Sequence, residues 1–337
     1  MLACVVLLAA AGHASDRPMR EITDMVGRKV TIPVDVAKVY GSSPPVNYLM
    51  YAVAPDMMAG LSFPISDADK PFLRPQTQSL PLLGAVMGQG RQFNPEEILK
   101  VKPDFVLAWV DRFGNPENTV ARFAKIGLPV VIVKLDGLAD YPATLTFLGD
   151  ILGRGERSKV LADYVTSAMQ RVSAAVGDIP ADKRVKVYYA QSGTGLSTEC
   201  DSSFHVEPVL MAGGDIVHHC QQSTHVGMET VSLEQVLAYQ PQIILSQDRG
   251  FARSVAEKPE WRNVDAVKNG RVVVIPRTPY NWLDRPPSFM RALGIQWLAN
   301  LFYPERFPLD LKAETKAFYK LFLGVDVSDS GVEQILK

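Results

Sequence analysis

The sequence predicts an α/β protein of two Rossmann-like lobes with parallel central sheets, joined by one long connector helix. Two observations carry this: a helix–strand block that occurs twice, and an uninterrupted amphipathic stretch between the copies. The block reads NPEEILKVKPDFVLAW at residues 94–109 and SLEQVLAYQPQIILSQ at residues 232–247. Each copy opens on a helix cap (Asn94 or Ser232), has Glu97 or Gln235 at the third helical position, and continues into an apolar pair, the pattern of a capping box. Pro103 or Pro241 then ends the helix. The apolar runs that follow, Phe105-Val106-Leu107 and Ile243-Ile244-Leu245, suit strands buried on both faces of a parallel sheet. A second strand echo lies in Pro129–Val133 and Arg271–Ile275. Helix–strand alternation in both halves implies two similar lobes.

Between the copies, residues 155–178 place Val160, Leu161, Tyr164, Val165, Ala168, Met169, Val172, Ala175 and Val176 at helical spacing, and no proline or glycine interrupts Glu156 to Val176. At 1.5 Å per residue such a helix is about 30 Å long, enough to join two lobes as a strut. Gly177-Asp178-Ile179-Pro180 stops it, and Val185–Tyr189 opens the next lobe as a strand. The expected boundaries are an N-terminal α/β lobe over 20–152, the connector over 153–180 and a C-terminal α/β lobe with closing helices over 181–337.

With 337 residues, 47% of them hydrophobic, the chain can bury a large core. Its 35 basic residues nearly cancel 36 acidic ones, so no bulk charge argues for nucleic acid or an anionic membrane surface. Met1–Ala14 carries no charged side chain, contains the run Val5–Ala11 and ends in Gly12-His13-Ala14, which reads as a cleaved signal peptide. The basic segment that normally precedes such a run is missing, as expected of a truncated or misassigned start. Export leaves Cys200 and Cys220 as the cysteines of the mature chain. In an oxidising compartment they are disulfide candidates, closing a loop worth roughly 3 kcal/mol on chain-entropy grounds. The competing reading is a pair of metal thiolates, although no Cys-x-x-Cys spacing accompanies them.

The order of these parts resembles the helical-backbone class (class III) of periplasmic solute-binding proteins, which serve ABC importers of ferric siderophores, haem, cobalamin and some metals. The resemblance runs from the β-segment Asp24–Pro33 through the paired blocks, the connector and Ala212-Gly213-Gly214 to Asn281-Trp282-Leu283-Asp284-Arg285-Pro286-Pro287-Ser288. It implies a periplasmic monomer of a Gram-negative type cell, with no intrinsic cofactor, that hands a solute to an ABC permease dimer and its ATPase. In that class a glutamate on each lobe meets the permease, and the matching positions are Glu96 and Glu234. Both stand second in their helices, where the helix dipole favours a carboxylate. The same first-turn glutamates are also ordinary helix chemistry, and it is their repetition on both halves that favours docking.

Two-lobed binders hold ligand in the cleft between lobes, where loops from both sides converge. Expected contacts are Ser43 and Pro44 after the first core strand, Arg91 before the first echoed helix, and Trp109 and Arg112 after its strand. In the second lobe they are His205, Arg249, Tyr280, Trp282 and Arg285. Arginine pairs with carboxylate or catecholate oxygens while Trp and Tyr stack on rings, so an iron siderophore or related metal chelate is the first expectation. Nickel, molybdate or tungstate, haem and cobalamin are the alternatives. Four of the five histidines, His205, His218, His219 and His225, fall within residues 205–225 beside Cys200, Asp201, Glu207 and Cys220. Those ligand types suit a transition metal, with His205 as the foremost candidate. No His-Glu-x-x-His or paired Cys-x-x-Cys accompanies them, and adjacent His218 and His219 point apart on any regular element. A secreted metallohydrolase is disfavoured for the same reason, and neither Gly-x-Ser-x-Gly nor a phosphate-cradling Gly-x-x-x-x-Gly-Lys-Ser/Thr is present.

Overall fold

Valine- and isoleucine-rich runs without polar alternation have to be covered on both faces, and the structure meets that requirement with helices on each side of two parallel sheets. The computed structural model describes residues 17–86 and 92–337. Its strands are β1 (Met19–Thr23), β2 (Lys29–Pro33), β3 (Val39–Gly41), β4 (Phe105–Trp109), β5 (Val130–Val133), β6 (Val185–Ala190), β7 (Ser197–Glu199), β8 (Gly214–Ile216), β9 (Met228–Thr230), β10 (Ile243–Ser246) and β11 (Val272–Val274). The first lobe is built on the order β3-β4-β5 and the second on β11-β10-β6-β8, with every neighbouring pair parallel. The antiparallel β1–β2 hairpin docks on the first lobe through Asp24, whose carboxylate accepts the N–H of Ile132 at 3.3 Å and that of Arg28 at 2.8 Å.

The internal echo extends to backbone geometry. The helices Pro95–Val101 and Leu233–Tyr239 are each seven residues long. Ser232 and Gln235 complete a capping box, while in the first copy Asn94 accepts the N–H of Glu96 at 2.9 Å. Both helices end on a left-handed residue, Lys102 at φ 51° and Gln240 at φ 46°. Each precedes a proline, which disfavours right-handed helix at the residue before it and so fixes where the helix stops.

Side-chain alternation divides each strand between two cores. Phe105, Leu107, Trp109, Val187, Tyr189, Ile243 and Leu245 face a core shared by both lobes, whereas Val106 and Ala108 face an outer core of lobe one, and Tyr188, Ala190 and Ile244 an outer core of lobe two. The connector helix, Gly155–Val176, lays Leu161, Ala162, Val165, Ala168, Val172 and Val176 into the shared core. Val160, counted by spacing on the apolar face, is half exposed at its edge. The closing helices do more than complete the second lobe. Phe322 stacks on Phe318 at 4.4 Å and on Phe289 at 5.0 Å, and the Tyr51 hydroxyl of lobe one donates to the Leu323 carbonyl at 3.0 Å. The chain therefore crosses back, and the strut is braced from both sides.

One ionic knot ties the lobes at the base of the gap. Arg291 is fully buried in an otherwise almost wholly apolar helix, Arg291–Phe302, and donates to Asp284 at 2.8 Å and Glu207 at 3.1 Å. Glu207 in turn accepts the Leu138 N–H of lobe one at 3.0 Å. A side chain at Gly137 would put its Cβ 2.6 Å from a Glu207 oxygen, so the carboxylate would have to move off its present contact. Burial disfavours the charge on Arg291, and the carboxylates of Asp284 and Glu207 outweigh that cost. Replacing Arg291 by Met strands two carboxylates, and denaturant melts should show a loss of about 3–5 kcal/mol. Removing the exposed Lys159–Asp163 pair should change stability by less than about 0.5 kcal/mol.

Candidate ligand site between the lobes

A parallel sheet delivers its loops at the C-terminal ends of its strands, and ligands of open α/β sheets bind outside those ends. The two sheets here present those ends to each other. Beyond β4, Asp111 and Arg112 reach the second lobe: Arg112 donates to Gln222 at 2.6 Å, and Asp111 accepts from the His225 ring. Trp109 meets Phe204 and His225 at centroid distances of 6.3 and 6.4 Å, and its indole N–H donates to Asp136 at 3.0 Å. Beyond β5, the Gly137–Leu138 backbone meets Glu207. Beyond β3, the helix Pro44–Val53 carries Tyr48, which stacks on Tyr280 of lobe two at 3.9 Å. These contacts bridge the gap, and a polar and aromatic pocket remains around Tyr48, Ser62, Asp69, Pro279 and Tyr280.

All but one of the residues expected at the cleft lie among the described residues. Ser43 is 1% exposed at the N-terminus of its helix, and its hydroxyl has no hydrogen-bond partner. Pro44 begins that helix and is buried. Arg112 and Tyr280 span the gap, and Trp109 sits at its base. Arg249 caps no helix; its buried Nε is unpartnered, and its charge, with that of Arg277, acts on Asp69. Burial raises the Asp69 carboxyl, opposed by the Ser66 hydrogen bond and then by these two guanidiniums. Arg285 is neutralised by Glu199, also bonds Gln191, and donates to the Val226 carbonyl at 2.6 Å. It holds a left-handed φ of 62°, a conformation worth about 1–3 kcal/mol of strain that those three bonds over-determine. Arg91 lies outside the described residues, as does the leader Met1–Ala14.

Two expectations are corrected. Trp282 is a core residue, fully buried and edge-to-face with Trp297 at 6.1 Å, because the turn Asn281–Asp284 folds its ring inward beneath the closing helices. His205 is buried, and both ring nitrogens are met by oxygens of the protein, Asp284 and the His225 carbonyl at 2.9 Å, so the ring is engaged by the protein on both sides instead of being offered to a metal. Its role is to hold Asp284, whose carboxyl burial would raise but His205 and Arg291 hold low. Cys200 and Cys220 are bridged, with Cα atoms 4.8 Å apart. Glu96 and Glu234 are both exposed at the second position of their helices. The Glu234 carboxyl lies below its usual range through its own backbone N–H and the Ser232 hydroxyl.

Several gap residues were not anticipated: Tyr48, Asp69, Gln222, Arg277 and Arg291, while His225 and Glu207, weighed as metal ligands, instead bridge the lobes to Asp111 and Leu138. Arg291 alone left a trace, as a lone charge in an apolar helix that had to find a buried partner.

Paired parallel α/β lobes joined by a helical backbone, with opposed strand ends, are the architecture of a receptor for a small solute. The chain belongs to the periplasmic binding protein family, whose model matches residues 66–279, and it is a class III solute-binding protein of an ABC importer. It is similar to the molybdate-binding protein MolA of Haemophilus influenzae, 26% identical over 96% of this chain and 95% of that protein. It matches a vitamin B12-binding protein of Pectobacterium carotovorum at 31% identity over 45% of this chain and 53% of the relative. An ABC transporter solute-binding protein from Sulfurospirillum deleyianum superposes with a TM-score of 0.88 and 36% identity, covering 94% of this chain and 98% of the other. Molybdate-bound MolA superposes with a TM-score of 0.74 at 23% identity, covering 92% and 99%.

The Asp111–His225 contact makes stability sensitive to pH. The Asp111 hydrogen bond raises the His225 imidazole above its ordinary value of about 6.5, with Asp284 assisting and burial and Arg285 opposing. Burial raises the Asp111 carboxyl, and His225 outweighs it. A raised histidine contributes fully below about pH 6.5 and loses that contribution as pH rises through its folded value. The melting temperature should therefore fall across that window in the native protein, and His225→Gln should flatten the profile.

Proposed function

We propose that the captured solute is a compact tetrahedral oxyanion of the molybdate or tungstate kind. The observation that carries this reading is the Ser43 hydroxyl, buried and unpartnered where the helix Pro44–Val53 begins. A serine at that position normally caps its own helix, but Pro44 and Pro45 offer no N–H, and the hydroxyl makes no cap bond. An unmet buried hydroxyl costs about 1–3 kcal/mol, which a ligand oxygen would recover. The buried, unpartnered Nε of Arg249 supports the same reading, as does the excess of two guanidiniums, Arg249 and Arg277, over the single carboxylate of Asp69. Phenolic donors at Tyr48 and Tyr280 would suit an oxyanion equally.

Size argues the same way. An iron siderophore, haem or cobalamin would have to part the Tyr48–Tyr280 stack and the Arg112–Gln222 and Asp111–His225 bonds, whereas a tetrahedral anion needs only a small space among them. The near full-length match to a protein named for molybdate binding agrees with the smaller solute. Nickel held by His205 loses its support with that ring committed on both nitrogens.

Calorimetric titration should detect molybdate and tungstate, with Ser43→Ala weakening binding about tenfold, the loss of one hydrogen bond to a charged ligand. Binding of a ferric siderophore or cobalamin with no response to either oxyanion would defeat the assignment. For the permease, Glu96 and Glu234 are the proposed docking carboxylates. Reversing both to Lys should abolish uptake by the reconstituted importer and leave solute affinity unchanged, while a fall in affinity would contradict a docking role.

A further inference from the structure

We propose that Cys200, Cys220 and His218 form a second site, distinct from the solute gap, that takes a divalent zinc ion when the disulfide is reduced. One sulfur from each cysteine and one imidazole nitrogen all lie within 4.8 Å of one another, and no other such group of three occurs among the described residues. Ligand atoms on one tetrahedral zinc stand roughly 4 Å apart, so the set needs little contraction around the ion and only a modest parting of the sulfurs. Two thiolates and an imidazole are a donor set that zinc prefers, and water or a neighbouring group completes four-coordination.

The constellation is held together without the S–S bond. Asp201 N–H donates to the His218 carbonyl at 2.9 Å and Cys220 N–H to the Asp201 carboxylate at 3.0 Å. Ser202 donates its hydroxyl to the Cys220 carbonyl at 2.8 Å and accepts the Gln222 N–H at 2.8 Å. Four hydrogen bonds thus fasten residues 201–202 to residues 218–222, none of them made by sulfur, and the β6–β8 pairing anchors the ground beneath them. His218 is aimed by the Tyr239 hydroxyl, 2.9 Å from its Nδ1, which leaves Nε2 for a ligand role. His219 is differently placed: it is exposed and pairs with Asp201.

Opening the bridge consumes two electrons from a dithiol or phosphine reductant. A dithiol attacks at the half-buried Cys220 sulfur, expels the Cys200 thiolate, and then closes on itself to release Cys220 while becoming a disulfide. Zinc then displaces the remaining thiol protons. The same loop carries Gln222 and His225 to the gap, so the site is also a place where the redox state of the surroundings touches the edge of solute capture.

The test uses the mature protein reduced with a phosphine and freed of reductant under nitrogen, with zinc titrated against a chromogenic chelator. One zinc per chain is expected for the reduced protein, none at this site for the oxidised protein or for Cys200→Ser/Cys220→Ser. His218→Ala should weaken zinc at least tenfold and His219→Ala should leave it unchanged. Zinc should also raise the melting temperature of the reduced protein, since only the folded chain brings the three ligands together. Equal zinc binding by reduced wild type and the double serine variant would overturn the proposal, as would wild-type affinity in His218→Ala. Molybdate titration of the oxidised protein reads the solute site separately, so either assignment can fail alone.

Discussion

A charge that water cannot reach organises this molecule. Arg291 lies in the helix that backs the gap, and its guanidinium is stable there only because Glu207 and Asp284 meet it and because His205 and a backbone amide of the other lobe complete those carboxylates. The cost of burying any one of these groups alone is several kcal/mol, so the set is all present or all disrupted. That fixes the relation of Leu138 in lobe one to Glu207 in lobe two, and with it the distance across which a solute is gripped.

Around that knot the packing is unusual for two domains. The inner faces of both sheets, the connector and the closing helices share one core, while each lobe keeps a smaller core on its outer side. A hinge needs a few residues free to rotate, and here the chain between lobes is a helix bound along its length, with the terminal helices returning to brace it. Such bracing makes the loops at the strand ends the parts that can shift with the least loss of packing. The contacts made there, a stacked tyrosine pair and two polar bridges, are individually modest, which suits surfaces that must separate for each solute.

The gap also shows why identical frameworks can carry different cargo. Its supporting residues are already satisfied: Arg285 by Glu199, Trp109 by Asp136 and His205 by Asp284. The polar atoms left without partners, at Ser43 and Arg249, are few, and a change of one or two side chains among them would alter the chemistry offered to a solute without disturbing the fold.

The amino-acid order by itself determined the two lobes, the strut and the strand ends, because apolar periodicity, caps and prolines act over a few residues and say which faces must be buried. Asn94 and Ser232, Pro103 and Pro241, and the run from Glu156 to Val176 were all legible on those terms. It also singled out Ser43, Trp109, Arg112, Arg249 and Tyr280 as strand-end residues. What each of these touches was decided by tertiary structure. Whether Trp282 faces inward, whether Arg285 is free or neutralised, whether the His205 ring is engaged by the protein, and whether Asp111 meets His225 all depend on residues dozens to more than a hundred positions away. Local pattern carries no record of such distances, because a partner's charge or hydrogen-bonding group acts only over a few ångströms once the chain has folded.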